Sequence, residues 1–340
     1  MKKVIDDLPR DLGYKEYEYS QARFEAVCND VGIKSVRIGY FGNISCPGVS
    51  DIDAVVVGRP LQILKLERKF EEECNSDPIL RKTFWHRPVY LIDEILEDAN
   101  ILHSMYNVQF ISGTCNPNIM RPDDDSMECL HMVWWSFLII VVMGIYRSRL
   151  VPLRLLLLIH KNLETSEHYF ASLNDVNSKM ERKSEKLRGK VINSDFIDEA
   201  YILDEFWLQF RSTCLAFDQF CAPTEDNKNT NGLRPFFPNR STVLFAKKIT
   251  TLNQLGGFKF VGVPNGLIKI GEGFIGLING NNKILEYSEA SRRVARIYQE
   301  KELSYPFITP FAISLSKSRL RMIKIINACV RTFTFGASER

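Results

Sequence analysis

Charge imbalance is nearly absent from this chain: 44 Lys and Arg stand against 41 Asp and Glu, a net of +3. Bulk electrostatics therefore argues neither for nor against a polyanionic partner, and local patches must carry that question. Paired cysteines are missing too. The eight cysteines (28, 46, 74, 115, 129, 214, 221 and 329) are scattered and never form C-x-x-C. That spacing excludes the common zinc motifs and the disulfide framework of a small secreted domain. Reduced thiols in a cytoplasm are the economical reading. The five histidines (86, 103, 131, 160 and 168) show no metal-ligand spacing, and only His86, beside an expected strand, stands out.

No apolar run is long enough for a bilayer span. The best candidate, Met132 to Tyr146, has fifteen residues, against about 20 for a spanning helix. Arg147, Arg149 and Arg154 interrupt its extension. A buried core helix is expected there, and no integral membrane span. The opening "MKKVIDDLPRDLG" carries two lysines but no apolar segment, which speaks against a secretory signal. No internal repeat at a fixed period is found.

What is present is a chain of 340 residues with 45 % hydrophobic and 25 % charged content, ordinary for a folded protein of two or three packed units. Tyr14 to Gly32 reads as a helix closed by a glycine cap. "KSVRIGYFG", "SDIDAVVVG", "RPVYLIDEI" and "YNVQFISG" read as strands, with an amphipathic helix over "LQILKLERKFEEECNSD" between the second and third. Interleaved strands and helices make residues 1–115 an α/β domain. Residues 126–222 turn helical, and Ala222 to Asn239 is a polar linker rich in Asn and Pro. Residues 240–340 are expected to be a mixed β/α unit.

The most informative stretch is "FGNISCPGVSDIDAVVVG", Phe41 to Gly58. Residues two apart on a strand share a face, so Asp51 and Asp53 project side by side, about 6.6 Å apart at Cα. Two carboxylates so placed repel each other and resist leaving water. No Lys or Arg lies within local reach, Arg59 being beyond the strand, so a divalent cation is the natural partner. Mg²⁺ (or Mn²⁺) takes hard oxygen ligands and completes its shell with water and substrate phosphate. The loop in front suits a triphosphate: Gly42 and Gly48 allow close backbone approach, Asn43 and Ser45 offer side-chain donors, and the turn's N–H groups can form an anion nest.

"GNISCPGVSDIDAVVV" resembles the signature of the nucleotidyltransferase superfamily of the polymerase-beta type. That signature is a Gly-Ser pair, a short loop, then Ser-Asp-x-Asp and an aliphatic strand. The resemblance is strongest over residues 33–58. It implies a small α/β nucleotidyltransferase-like domain with a mixed sheet, joined to a helical domain. It implies transfer of a nucleoside monophosphate from an NTP to a hydroxyl acceptor by a two-metal Mg²⁺ mechanism. Asp51 and Asp53 would be the metal pair, Gly42 the loop glycine, and Ser50 would sit beside the metal site. The sequence departs from the pattern in three places. The loop serine is Asn43, with Ser45 the available substitute. Seven residues separate Asn43 from Asp51, a short loop, and taking Gly39-Tyr40 as the pair lengthens it to ten. The third carboxylate, base or metal ligand for the attacking hydroxyl, falls on Asp93, or on Glu94, while another alignment puts Arg87 there.

Two functions follow as expectations. The first is a nucleotidyltransferase acting on an NTP, its acceptor being a small molecule, RNA or protein. The alternative is a catalytically impaired protein of the same fold that binds a nucleotide or a partner. Basic residues at 179, 182, 183, 186, 188 and 190 alternate with Glu181 and Glu185 and read as a solvated helix face. Lys317, Arg319, Arg321, Lys324 and Arg331 fit an amphipathic helix or a polyanion contact. "GEGFIG", Gly271 to Gly276, lacks a following helix and reads as a hairpin rather than a dinucleotide loop. Asp123, Asp124 and Asp125 favour the start of the apolar helix behind them.

Overall fold

The computed structural model describes residues 3–102, 107–111, 148–172, 182–194 and 198–220, together with parts of 127–146 and of 289–303. It is a mixed helix-and-sheet protein built around one four-stranded mixed sheet. The described residues fall into two compact units. One is drawn from Leu8–Leu130 and Tyr287–Ala312, the other from Met1–Asp7 and His131–Glu286.

In the first unit, α1 (Tyr14–Asp30) buries Tyr17, Ser20, Phe24, Val27 and Cys28 along one stripe, the spacing of an amphipathic helix. It ends in a Schellman turn: the Gly32 N–H bonds the Asn29 carbonyl at 2.9 Å and the Ile33 N–H that of Cys28 at 3.0 Å. Gly32 has φ +82°, the left-handed conformation such a turn requires. β2 (Ile38–Phe41) follows and pairs antiparallel with β3 (Asp53–Gly58), Phe41 opposite Asp53. α2 (Pro60–Ser76) starts with Pro at its first turn, and Gln62 accepts the Arg59 N–H at 3.0 Å. A short α3 (Pro78–Thr83) is capped by Asp77, which accepts the N–H groups of Ile79 and Leu80. β4 (Val89–Ile92) then pairs parallel with β3, α4 (Leu96–Leu102) follows, and β5 (Gln109–Phe110) closes the sheet in the order β4-β3-β2-β5.

β3 is central, and Ala54 to Gly58 are all buried. That is why "AVVVG" is a continuous aliphatic run rather than an alternating one. The core beneath α1 and α2 is aromatic: Phe24, Phe70 and Phe84 meet with centroids 4.9, 5.1 and 5.0 Å apart. Helical residues between 289 and 300 complete this unit. Tyr298 donates to the Tyr90 carbonyl at 2.7 Å, and the Arg293 guanidinium grips Asp98, with Nε 2.8 Å from Oδ2.

The second unit joins β1 (Lys3–Ile5) to β6 (Leu150–Pro152) as a parallel pair. α5 (Leu153–Ser172) packs along α7 (Glu199–Phe220), with α6 (Lys183–Ile192) beside α5. The described residues of 127–146 are helical and bury Trp135, Leu138, Val141, Val142 and Ile145. Trp135 lies 6.1, 6.1 and 5.6 Å from the rings of Phe170, Phe210 and Phe217. The described residues of the apolar segment thus lie in the core, and among the described residues no helix is long and apolar enough to cross a membrane.

Two expectations shift. The α/β unit is not confined to 1–115: it draws on residues 289–303, and the first strand of the chain belongs to the other unit. Nor is the basic helix simply a solvated face. α6 buries Ser184, Leu187, Arg188 and Val191, and Arg188 donates to the Leu157 carbonyl. The linker at 222–239, the glycine hairpin at 271–276, the aspartates at 123–125 and the basic run from Lys317 to Arg331 lie outside the described residues.

Candidate metal centre

β2 delivers the chain to Phe41, Gly42 turns it, and β3 brings it back at Asp53. Gly42 has φ +74°, and a Cβ built on it would stand 3.0 Å from Asp53 Oδ2. Only glycine lets the turn come this close to the carboxylate. The rest of the turn is tied from inside. The Cys46 carbonyl accepts the N–H groups of Val49 and Ser50 at 3.0 and 2.8 Å, and the Cys46 N–H bonds Ser50 Oγ at 3.1 Å. From α1, the Tyr17 hydroxyl donates to the Ser50 carbonyl at 2.6 Å and accepts the Gly48 N–H at 3.1 Å. The N–H groups of residues 46, 48, 49 and 50 are therefore committed. Any anion in this turn meets its Gly42–Ser45 end, where Asn43 and Ser45 are exposed. Ser50, expected beside a metal, is buried and serves the turn.

Asp51 and Asp53 do stand together at the mouth of β3, with Ile52 between them pinned by its N–H to the Thr83 carbonyl at 3.0 Å. The third member of the group is His86. Its Nε2 lies 2.7 Å from Asp53 Oδ1 and 3.2 Å from Asp51 Oδ2. Burial works against charge on the ring, but the Asp51 charge and the Asp53 hydrogen bond outweigh it and push His86 up to about 10. Burial raises the Asp53 carboxyl, His86 pulls it back, and the Asp51 charge adds to the rise. The positive partner that the sequence lacks nearby thus arrives from the segment before β4.

Asp93 does not join the group. It opens the turn after β4, pairs with Arg37, and lies beyond Ile92, the residue opposite Gly58. Asp53 sits five residues before Gly58 on β3 and Asp93 one residue beyond Ile92, so at about 3.3 Å per residue the two are separated by roughly 20 Å along the sheet. Glu94 pairs with Lys301 at 3.0 Å. Counting back from the Val55–Val89 pair brings Arg87 level with Asp53. Its guanidinium binds Glu67 and Glu71 of α2, each at 3.0 Å, leaving the neighbouring His86 to face the aspartates. The sequence marks His86 only by its place three residues before a strand. The parallel register that makes it a neighbour of Asp53 is not written locally.

The three donors fit a cation. Adjacent ligand atoms on an octahedron with bonds of about 2.1 Å lie about 3.0 Å apart, and the His86 to carboxylate distances of 2.7 and 3.2 Å bracket that value. One ligand atom from each residue lies within 4.8 Å of the others. Two carboxylates and an imidazole are a common donor set for divalent ions. Comparison with known proteins gave no significant match to any family model, curated protein or solved structure.

Proposed function

We propose that this chain is a metal-dependent nucleotidyltransferase, moving a nucleoside monophosphate from an NTP to a hydroxyl group. The observation that carries the reading is the meeting of Asp51, Asp53 and His86 at the mouth of a central strand, directly behind a glycine turn. The order of turn, acidic pair and buried strand resembles that of the polymerase-beta type of nucleotidyltransferase fold. A bound divalent cation such as Mg²⁺ or Mn²⁺ would neutralise the triphosphate and polarise the reacting oxygens. The protein's own share is positioning. Asp53 at the first position of β3 and Asp51 just before it fix the cation point, Gly42 leaves room beside Asp53, and the Gly42–Ser45 end of the turn meets the phosphates. Tyr17 holds the turn from below.

A second reading has its own observation. With Asp93 far along the sheet and Arg87 level with Asp53, no third carboxylate joins the group among the described residues. The chain would then bind a metal–nucleotide complex without transferring from it. One experiment separates the two. The full chain and an Asp51→Asn/Asp53→Asn variant are titrated with ATP, GTP, CTP and UTP, with Mg²⁺ or Mn²⁺. Pyrophosphate release is followed beside small-molecule, RNA and protein acceptor fractions. Release that the variant lacks supports transfer, and binding without release supports the second reading. If neither protein binds any nucleotide, both readings fall.

A further inference from the structure

The proton on His86 can be located from its surroundings. Nδ1 lies 2.9 Å from the Arg87 carbonyl oxygen. A carbonyl only accepts, so Nδ1 carries a hydrogen and donates it. In the neutral ring the lone pair is then on Nε2, the atom that faces both carboxylates. A backbone carbonyl holding Nδ1–H is the outer contact that fixes the tautomer of metal-binding histidines and aims the other nitrogen at the ion. That nitrogen lies 2.7 and 3.2 Å from one oxygen of each carboxylate, so the three donors converge on a common point. The same place, with its three donors, suits a metal ion.

We infer that His86 is a direct ligand of the cation held by Asp51 and Asp53, and that it makes the site favour first-row transition-metal ions over Mg²⁺. The inference rests on the proposed cation site and goes beyond it, because an all-carboxylate site suits Mg²⁺ and Mn²⁺ alike and would discriminate between them less. Mg²⁺ seeks oxygen ligands and sheds water reluctantly. Mn²⁺ and the later metals accept imidazole nitrogen increasingly well along the series. Arg87 supports the arrangement from the other side. Its ion pairs with Glu67 and Glu71 anchor the segment whose carbonyl holds the ring.

Mn²⁺ is the probe, because its electron spin reports directly bound nitrogen. The full chain is loaded with Mn²⁺, nitrogen coupling is read by electron spin-echo modulation, and Mn²⁺ and Mg²⁺ affinities are measured in competition. His86→Gln and Asp51→Asn/Asp53→Asn are run in parallel. The expected result is an imidazole nitrogen signature in the unaltered protein that is absent from H86Q. Mn²⁺ affinity should fall at least tenfold in H86Q, Mg²⁺ affinity less than threefold, and His86→Asp should shift preference back toward Mg²⁺. Mn²⁺ bound through the aspartates without nitrogen coupling, and unchanged in H86Q, overturns the inference while leaving the cation site standing. Binding equally strong in the double aspartate variant removes the site itself and the inference with it. The signature is read in the unaltered protein, so the test holds even if H86Q folds poorly.

Discussion

Replacing Gly42 and Gly32 by alanine separates backbone strain from damage to the site. Both glycines have left-handed φ, +74° and +82°. Alanine in that conformation costs roughly 1–2 kcal/mol, partly offset by about 0.4–1 kcal/mol from a stiffer unfolded chain. Each variant should therefore lose about 1 kcal/mol, a fall of some ~2–4 °C in melting temperature for a unit of this size. The contacts differ. A Cβ at Gly32 meets only Gln62 Nε2 at 3.5 Å, an ordinary distance, whereas at Gly42 it meets Asp53 Oδ2 at 3.0 Å. The carboxylate must give way by a few tenths of an ångström, and its other oxygen is the one bonded to His86 at 2.7 Å. Disturbing that donor spacing should weaken Mn²⁺ binding by about tenfold, or ~1.4 kcal/mol, in Gly42→Ala alone. Urea melts and Mn²⁺ titration on both variants provide the assay. If Gly42→Ala binds Mn²⁺ as tightly as the unaltered protein, the turn does not govern the carboxylate. If Gly32→Ala loses as much affinity, the effect is general softening.

Four further outcomes can be checked. His160 is buried and its burial pushes it down to about 4, with Arg188 and Lys183 adding to the fall against the pull of Glu164. An unfolded chain takes up that proton near pH 6.5, so stability is complete above there and is lost as pH falls toward 4, by up to about 3 kcal/mol. Urea melts of a His160→Leu variant should show a flatter pH dependence across that window. Phe84→Ala empties the centre of the Phe24–Phe70–Phe84 cluster and should cost about 3–5 kcal/mol in the same melts. Tyr17→Phe removes the hydroxyl that serves both Gly48 and Ser50. It should cost about 1–3 kcal/mol, and nucleotide titration should show weaker binding. Asp93→Ala breaks only an exposed pair with Arg37. It should change stability by less than about 1 kcal/mol, and cation affinity measured by titration should not change.

Much of the α/β unit can be read directly from residue order. "AVVV" announces a strand covered on both faces and Gly32 announces a helix end, while Asp51 stands two residues before β3 begins at Asp53, so strand geometry alone does not fix its place beside Asp53. What stays hidden depends on pairings between distant segments. His86 reaches Asp53 through the parallel register of β3 and β4, and the same register carries Asp93 to the wrong end. Local signals say that "RPVYLIDEI" is a strand but not which of its ends adjoins the aspartates. β1 is three residues long and its partner begins at Leu150, too short and too remote for any local pattern to announce. Arg188 looks like one of a row of solvated cations, and only the packing of α6 on α5 shows it to be buried.

The helical residues near 298 set a timetable for synthesis. Tyr298 hangs from the Tyr90 carbonyl and Arg293 from Asp98, so the sheet that carries the aspartates receives its last contacts from chain made long after it. From residue 112 through residue 303 the chain runs 192 residues, which a ribosome adds in roughly 10–40 s at about 5–20 residues per second. Throughout that interval β4 and α4 wait on the nascent chain with a buried tyrosine contact unmade. A fragment ending near residue 111 reproduces that waiting state, so its poor solubility or lack of binding would report on unfinished assembly, not on the chemistry of Asp51, Asp53 and His86.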